Sequence, residues 1–173
     1  MQSIYLGGGC FWCTEAIFNL LKGVDKVTPG YIGGEKDNPT YQDICTGKTG
    51  HAEAIECIFN ENEITLIEIL SIFFSSHDPT QLNRQGNDIG TQYRSAIFCI
   101  NAEQKKQVES FIQSINHMYD NKIVTEVGLN KKFFNAESYH FDYFKKNINV
   151  PYCQIIIKPK LDKFKKQFKK KLI

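Results

Sequence analysis

Short apolar or alternating runs, separated by polar glycine-rich stretches, recur along the chain, and the period of each run predicts its element. Ser3-Ile4-Tyr5-Leu6 reads as a short strand. After Gly7-Gly8-Gly9, the positions Ala16, Ile17, Leu20 and Leu21 repeat at helical spacing, which predicts a helix beginning at Cys10. Residues 23–31 read as a turn and a strand, and residues 51–59 alternate as another. Thr65 with Glu68 forms a capping-box pattern ahead of Leu66, Ile67, Ile69, Leu70, Phe73 and Phe74. That helix ends near His77-Asp78-Pro79. Residues 93–100 predict a strand, Asn101 with Gln104 opens a helix to about Met118, and residues 123–127 predict a further strand. A helix over 136–147 and a short strand over 154–157 complete the pattern. Residues 33–50 and 79–92 remain as long polar loops, and such loops in a compact domain usually carry function.

Strands and helices interleave without a regular βαβ count, which predicts an α+β fold. The expected architecture is a two-layer sandwich on a mixed sheet. At 173 residues, with 42% hydrophobic and 23% charged residues, the chain reads as one globular domain over 1–173. Charge is uneven: residues 158–173 hold eight lysines and one aspartate, a local +7 against −5 for the rest. Leu161, Phe164, Phe168 and Leu172 repeat there at helical spacing, so the tail is expected to dock as an amphipathic helix with a wet lysine face. No apolar run is long enough for a transmembrane helix, and Met1-Gln2-Ser3-Ile4-Tyr5 lacks the regions of a signal peptide. Six cysteines without an export signal point to a reducing compartment, and the cytosol is expected.

The chemistry concentrates in Gly9-Cys10-Phe11-Trp12-Cys13-Thr14-Glu15. A helix start favours a thiolate over a thiol, so Cys10 is placed as a nucleophile. Cys13, one turn on, is placed to attack whatever forms on it. A zinc site is the competing reading of two cysteines at this spacing. No second such pair occurs, and neither Cys45, Cys57, Cys99 and Cys153 nor His51, His77, His117 and His140 show ligand spacing. No metal is therefore expected. The glycines at 7–9 complete no dinucleotide fingerprint, and no phosphate-loop pattern is present, so no nucleotide cofactor is expected either.

Strand alternation puts Glu53 on one face with Ile55, Cys57 and Phe59. If that face is the core, Glu53 is desolvated, its pKa rises, and it can serve as a general acid. If the face is wet, Glu53 is an ordinary carboxylate. Tyr41 and the segment Asn87 to Ser95, with Asp88 and Tyr93, suit a substrate-lining surface or a solvated turn equally well. Phe11 and Trp12 form either an apolar pocket beside Cys10 or a helix anchor.

Together these segments resemble the A-type peptide methionine sulfoxide reductases. The matching pieces are Gly9 to Glu15, Tyr41 leading to Thr49-Gly50-His51-Ala52-Glu53-Ala54, and Gly90-Thr91-Gln92-Tyr93-Arg94-Ser95. His77-Asp78-Pro79-Thr80, Ala136-Glu137-Ser138-Tyr139-His140 and Pro151-Tyr152-Cys153 extend the match. The resemblance implies a ferredoxin-like core and a metal-free, cofactor-free reduction of methionine S-sulfoxide. Under it, Cys10 attacks the sulfoxide sulfur, Glu53 protonates the oxygen, Tyr41 and Tyr93 bond that oxygen, and Asp88 orders the polar side. Phe11 and Trp12 would hold the methyl group. The sulfenic acid left on Cys10 would condense with Cys13, and thioredoxin would reduce the disulfide. Cys153 lies before an Ile-Ile-Ile strand, where burial is expected. A single-cysteine cycle, with an external thiol reducing the sulfenic acid, is the alternative. Expected partners are the sulfoxide substrates and thioredoxin, not nucleic acid or membrane, and the expected form is a monomer. A general dithiol oxidoreductase and a non-catalytic peptide binder are the rival readings.

Overall fold

The computed structural model describes residues 1–173. Strand β1 (Gln2–Gly8) leads through Gly9 and Cys10 into helix α1 (Phe11–Phe18). Then come β2 (Val24–Ile32), α2 (Tyr41–Cys45), β3 (Ala52–Phe59) and α3 (Leu66–Ser76). A hairpin of β4 (Arg84–Gln85) and β5 (Asp88–Ile89) precedes β6 (Ser95–Cys99), α4 (Ala102–Ile115) and β7 (Glu126–Leu129). β8 (Phe133–Asn135), α5 (Tyr143–Lys146) and α6 (Lys158–Gln167) close the chain. The main sheet has the order β7-β6-β1-β3-β2-β8. Only β6 and β7 run parallel; the other neighbours are antiparallel. The sheet is mixed and the fold is α+β, as expected. No helix is long and apolar enough to cross a membrane.

Alternation sorts the strand residues between two faces. Ile4, Leu6, Ile55, Cys57, Phe59, Ile97 and Cys99 join a 29-residue core with buried residues of α1, α3, α4 and α6. Ala54, Ala96, Phe98 and Ile32 form a small cluster on the opposite face. Glu53 shares the first face, so the alternative of a wet strand face is set aside. Two helices carry full capping boxes, Thr40 with Asp43 on α2 and Thr65 with Glu68 on α3.

The tail packs on the core but is helical only over Lys158–Gln167; a 3-10 turn (Lys169–Lys171) and an extended Leu172 replace the expected last helical turn. Leu161 and Phe164 are buried, and the chain end pairs with the turn after α1: Lys22 N donates to Lys171 O at 2.9 Å, and Ile173 N to Leu20 O at 2.9 Å. Glu68 of α3 forms an ion pair with Lys171.

Four further expectations are corrected. The 33–50 loop contains α2, and the 79–92 loop contains the β4–β5 hairpin. Tyr93 ends a 3-10 turn (Thr91–Tyr93) instead of opening β6. The 136–147 segment is broken into a 3-10 turn (Ser138–His140) and α5, with β8 before it. Residues 154–157 form no strand: Cys153–Ile157 is a π-helical turn that runs straight into α6. Cys153, Ile157, Leu161 and Phe164 make one buried helical stripe, which the Ile-Ile-Ile run conceals. Pro159 lacks an N–H and its ring crowds the carbonyl four residues back, so the turn before it widens.

Candidate active site

The β1–α1 junction places the first cysteine. Gly9 has φ +93°, and a Cβ there would come within 2.8 Å of the Gln85 side chain, so only glycine makes this turn. Cys10 is the N-cap residue of α1, one position before the first helical turn. Its carbonyl accepts from Cys13 N at 3.1 Å, which stacks the two cysteines one above the other. They are 8% and 6% exposed, and every cysteine in the chain is free.

Glu53 reaches the same helix start from β3. Its Oε2 accepts the Phe11 N–H at 3.1 Å, in a fully buried contact between residues 42 apart in sequence. Burial pushes this carboxyl up to about 8; the Phe11 amide opposes the shift, and Asp88 and Cys13 add to it. At neutral pH Glu53 is therefore protonated and able to donate.

One expectation is revised here. The α1 amide that was to favour a Cys10 thiolate is bonded to Glu53. Burial pushes the Cys10 thiol well up, and its contact with Cys13 and the facing Glu53 push it further, against a smaller lowering by Tyr152. Cys13 is lowered, first by Cys10, with Lys160 and Tyr152 helping against burial and Asp88. The proton of the pair rests on Cys10.

Two tyrosines face these groups from the loops. His51 fastens the first loop: its Nδ1 accepts Gly34 N–H at 3.0 Å, so Nε2 donates to Lys36 O at 2.8 Å. Glu137 then holds Tyr41, its carboxylate accepting Tyr41 N at 3.0 Å, the Tyr31 hydroxyl at 3.0 Å and the Tyr139 hydroxyl at 3.2 Å. Burial raises both Tyr41 and Tyr93, with Glu53 next among the causes and Cys10 also acting on each. Neutral hydroxyl donors thus lie beside Glu53 and Cys10.

Aromatic rings close the apolar side. Phe11 is buried, Trp12 is half-buried, and Tyr41 lies 6.5 Å and 6.4 Å from their ring centres. Tyr143 stacks flat on Trp12, centroids 3.7 Å apart and planes at 6°. Tyr152 meets Trp12 edge-on at 5.9 Å. Trp12 Nε1–H donates to His140 Nδ1 at 3.0 Å, which makes that imidazole a neutral Nε2–H tautomer. Burial holds His140 neutral. Tyr152 also donates to Asp88 Oδ2 at 3.0 Å, linking the C-terminal segment to the hairpin.

The structure thus brings Cys10, Cys13, Glu53, Phe11, Trp12, Tyr41, Asp88 and Tyr93 together. Glu137, His140, Tyr143 and Tyr152 were given no role from sequence. The signal for three of them was present: Glu137 and His140 sit in one matching segment and Tyr152 in another, but pairings across 64 to 128 residues have no local period. No three His, Cys, Asp or Glu side chains are grouped to hold a metal ion.

A cysteine pair at a helix start beside a buried, protonated glutamate and two neutral tyrosine hydroxyls, on an α+β scaffold, points to a thiol-based oxidoreductase. The model of one family, peptide methionine sulfoxide reductase, matches residues 2–172, and the chain belongs to that family. It is 51% identical over 172 residues to the peptide methionine sulfoxide reductase MsrA of Saccharolobus solfataricus, covering 99% of this chain and 97% of the relative. Among solved structures it is similar to Mxr1 from Saccharomyces cerevisiae in reduced form (TM-score 0.82, 37% identity, 88% of each chain). It is also similar to Mxr1 in complex with Trx2 (TM-score 0.59, 25% identity, 82% of this chain and 84% of that one).

Proposed function

We propose that this chain reduces methionine S-sulfoxide, free or in polypeptides, with Cys10 as nucleophile and Glu53 as acid. Cys10 attacks the sulfoxide sulfur while Glu53 gives its proton to the oxygen, which makes the sulfur more electrophilic and the oxygen easier to transfer. Tyr41 and Tyr93 bond that oxygen, Asp88 orders the polar wall together with Tyr152, and Phe11 and Trp12 hold the methyl group. Methionine leaves, and Cys10 carries the oxygen as a sulfenic acid. Cys13 condenses with it, releasing water and forming a disulfide, and thioredoxin reduces that disulfide by exchange. The observation that carries this reading is the buried Glu53 carboxyl, bonded to Phe11 N–H beside Cys10 and protonated at neutral pH.

The finer architectural reading is a two-layer sandwich with a ferredoxin-like core, working as a single-domain monomer in the cytosol. It is supported by one large core that takes in the sheet and α6 alike, and by six cysteines that are all free. The family membership and the structural likeness to Mxr1 bound to Trx2 support thioredoxin as reductant.

The test compares two assays: sulfoxide turnover under thioredoxin, thioredoxin reductase and NADPH, and reduction of insulin disulfides above the dithiothreitol background in the absence of thioredoxin. Turnover of a sulfoxide-bearing peptide, lost in Cys10→Ser, without reduction of insulin disulfides, is the expected result. Insulin reduction without sulfoxide turnover would put a general dithiol oxidoreductase in its place.

A further inference from the structure

The lysines of the C-terminal helix have no part in the sulfoxide chemistry, yet they are held rigidly at its edge. Lys158, Lys160, Lys163, Lys165, Lys166, Lys169 and Lys170 are all exposed, and of the tail's lysines only Lys171 forms an ion pair. Asp162 is the sole acid among them. The opposite side of α6, through Leu161 and Phe164, packs into the core that contains α1. Lys160, Lys163 and Phe164 share the wall of a cavity of about 280 Å³ with Ile17, one turn beyond Cys13.

Both cysteines bear on Glu53, and Cys13 also feels Lys160 of α6. Cys10 is felt by Glu53, Tyr41 and Tyr93. Cys13 interacts with Lys160, Asp88, Tyr152 and Cys153 as well as with Glu53. Beside the lysines lies an apolar patch. Ile148, Val150 and Ile155 are exposed, Ile155 by 70%, and Gln154 N–H donates to Val150 O at 3.1 Å, which folds the 150–154 backbone into one turn. They flank Tyr152 and Cys153. An apolar centre with a charged rim is the anatomy of a protein–protein interface.

We infer that the lysine face of α6, with the Ile148–Val150–Ile155 patch, docks an acidic protein dithiol that recycles the enzyme. This rests on the proposed Cys10–Cys13 disulfide. In the docked complex a partner thiolate attacks Cys13 Sγ, the Cys10–Cys13 bond breaks, and Cys10 leaves as a thiolate that takes up a proton. The partner's second thiol then attacks the mixed disulfide and frees Cys13. The enzyme gains two electrons and two protons, and the partner ends as a disulfide. The reductant thus reaches α1 from the side on which α6 packs.

The experiment uses the triple variant Lys163→Glu, Lys166→Glu, Lys170→Glu, with an acidic thioredoxin or dithiothreitol as alternative reductants. With thioredoxin at low ionic strength, kcat/KM for the reductant is expected to fall about tenfold or more, and the gap to narrow in high salt. Dithiothreitol-supported turnover and single-turnover methionine formation are expected to stay at wild-type values. Equal kcat/KM at low salt, an equal loss with dithiothreitol, or a loss insensitive to salt would overturn the docking assignment. If the charge reversal unfolds the chain, the Lys→Gln triple is used, and a smaller loss of the same kind is required. A variant that loses affinity for duplex DNA or anionic vesicles while keeping its thioredoxin kinetics assigns the face to those partners and overturns the inference. Wild-type protein that turns over with dithiothreitol but never with thioredoxin contradicts the recycling reading itself, which separates the two failures.

Discussion

The Phe11 amide and the Glu53 carboxylate, 42 residues apart, meet at 3.1 Å in the core, and this bond sets the chemistry around Cys10. It takes the first free N–H of α1 away from the sulfur and gives it to an acid that is otherwise stranded in apolar surroundings. Burial still outweighs it, so Glu53 keeps its proton to about pH 8. At neutral pH Glu53 is therefore protonated, and burial holds Cys10 as a thiol.

Glu53→Gln removes the transferable proton while keeping an oxygen for the Phe11 amide. Single-turnover methionine formation should fall roughly 100-fold or more, within the range of general-acid contributions. In the wild type the rate falls as pH rises through about 8, where Glu53 ionises. In Glu53→Gln that descending limb disappears. Rapid-quench measurement between pH 6 and 9 reads both effects, and an unaltered rate would remove Glu53 from the acid role.

The same substitution has a stability signature of opposite sign. The folded-state pKa is raised, from 4.5 to about 8, so Glu53 ionises in the unfolded chain before it does in the fold. Wild-type stability is unpenalised below about 4.5 and declines as pH rises towards 8. Glu53→Gln should be more stable than wild type at pH 8, by ~2–4 kcal/mol, and the two should converge towards pH 4. Urea denaturation at the two pH values provides the comparison.

The strand that carries Glu53 shows how far the pattern of residues reaches. Alternation over 51–59 put Glu53 with Ile55, Cys57 and Phe59, and the core lies on that face. The capping box of Thr65 and Glu68 was equally local and is equally present. Failures lie where tertiary contacts decide. Nothing local says that Ile155-Ile156-Ile157 belongs to a helix, because the stripe that defines it continues through Leu161 and Phe164 onto α1. Glu137 binding Tyr41, and Tyr152 binding Asp88, join segments with no shared period. The thiolate expectation for Cys10 is turned by a non-local cause of the same kind: burial raises the thiol first, then the contact with Cys13, then Glu53 at the helix start.

Cys13→Ser should release one equivalent of methionine per enzyme at close to the wild-type rate and then stall with thioredoxin as reductant. Mass spectrometry should find the sulfenic acid on Cys10, trapped by dimedone. Undiminished thioredoxin-supported turnover would take the resolving role from Cys13 and favour the single-cysteine cycle.

Tyr152→Phe deletes a hydroxyl that bonds Asp88 and favours the anionic form of both sulfurs. Alkylation of Cys13, the sulfur of the pair held lowered, by iodoacetamide at pH 8 should slow severalfold, since thiolate is the reactive form. Asp88→Asn keeps the hydroxyl near the sulfurs and should slow it less. Equal rates in Tyr152→Phe and wild type would confine Tyr152 to packing against Trp12.

The central claim is that Cys10 reduces a sulfoxide of one hand by itself. Pre-reduced protein, without added reductant, is mixed with N-acetyl-methionine S-sulfoxide or R-sulfoxide in separate reactions, and N-acetyl-methionine is quantified. Release of about one equivalent from the S epimer and none from the R epimer is the predicted result, with all release lost in Cys10→Ser. Folded protein with free thiols that releases nothing from either epimer would contradict the account.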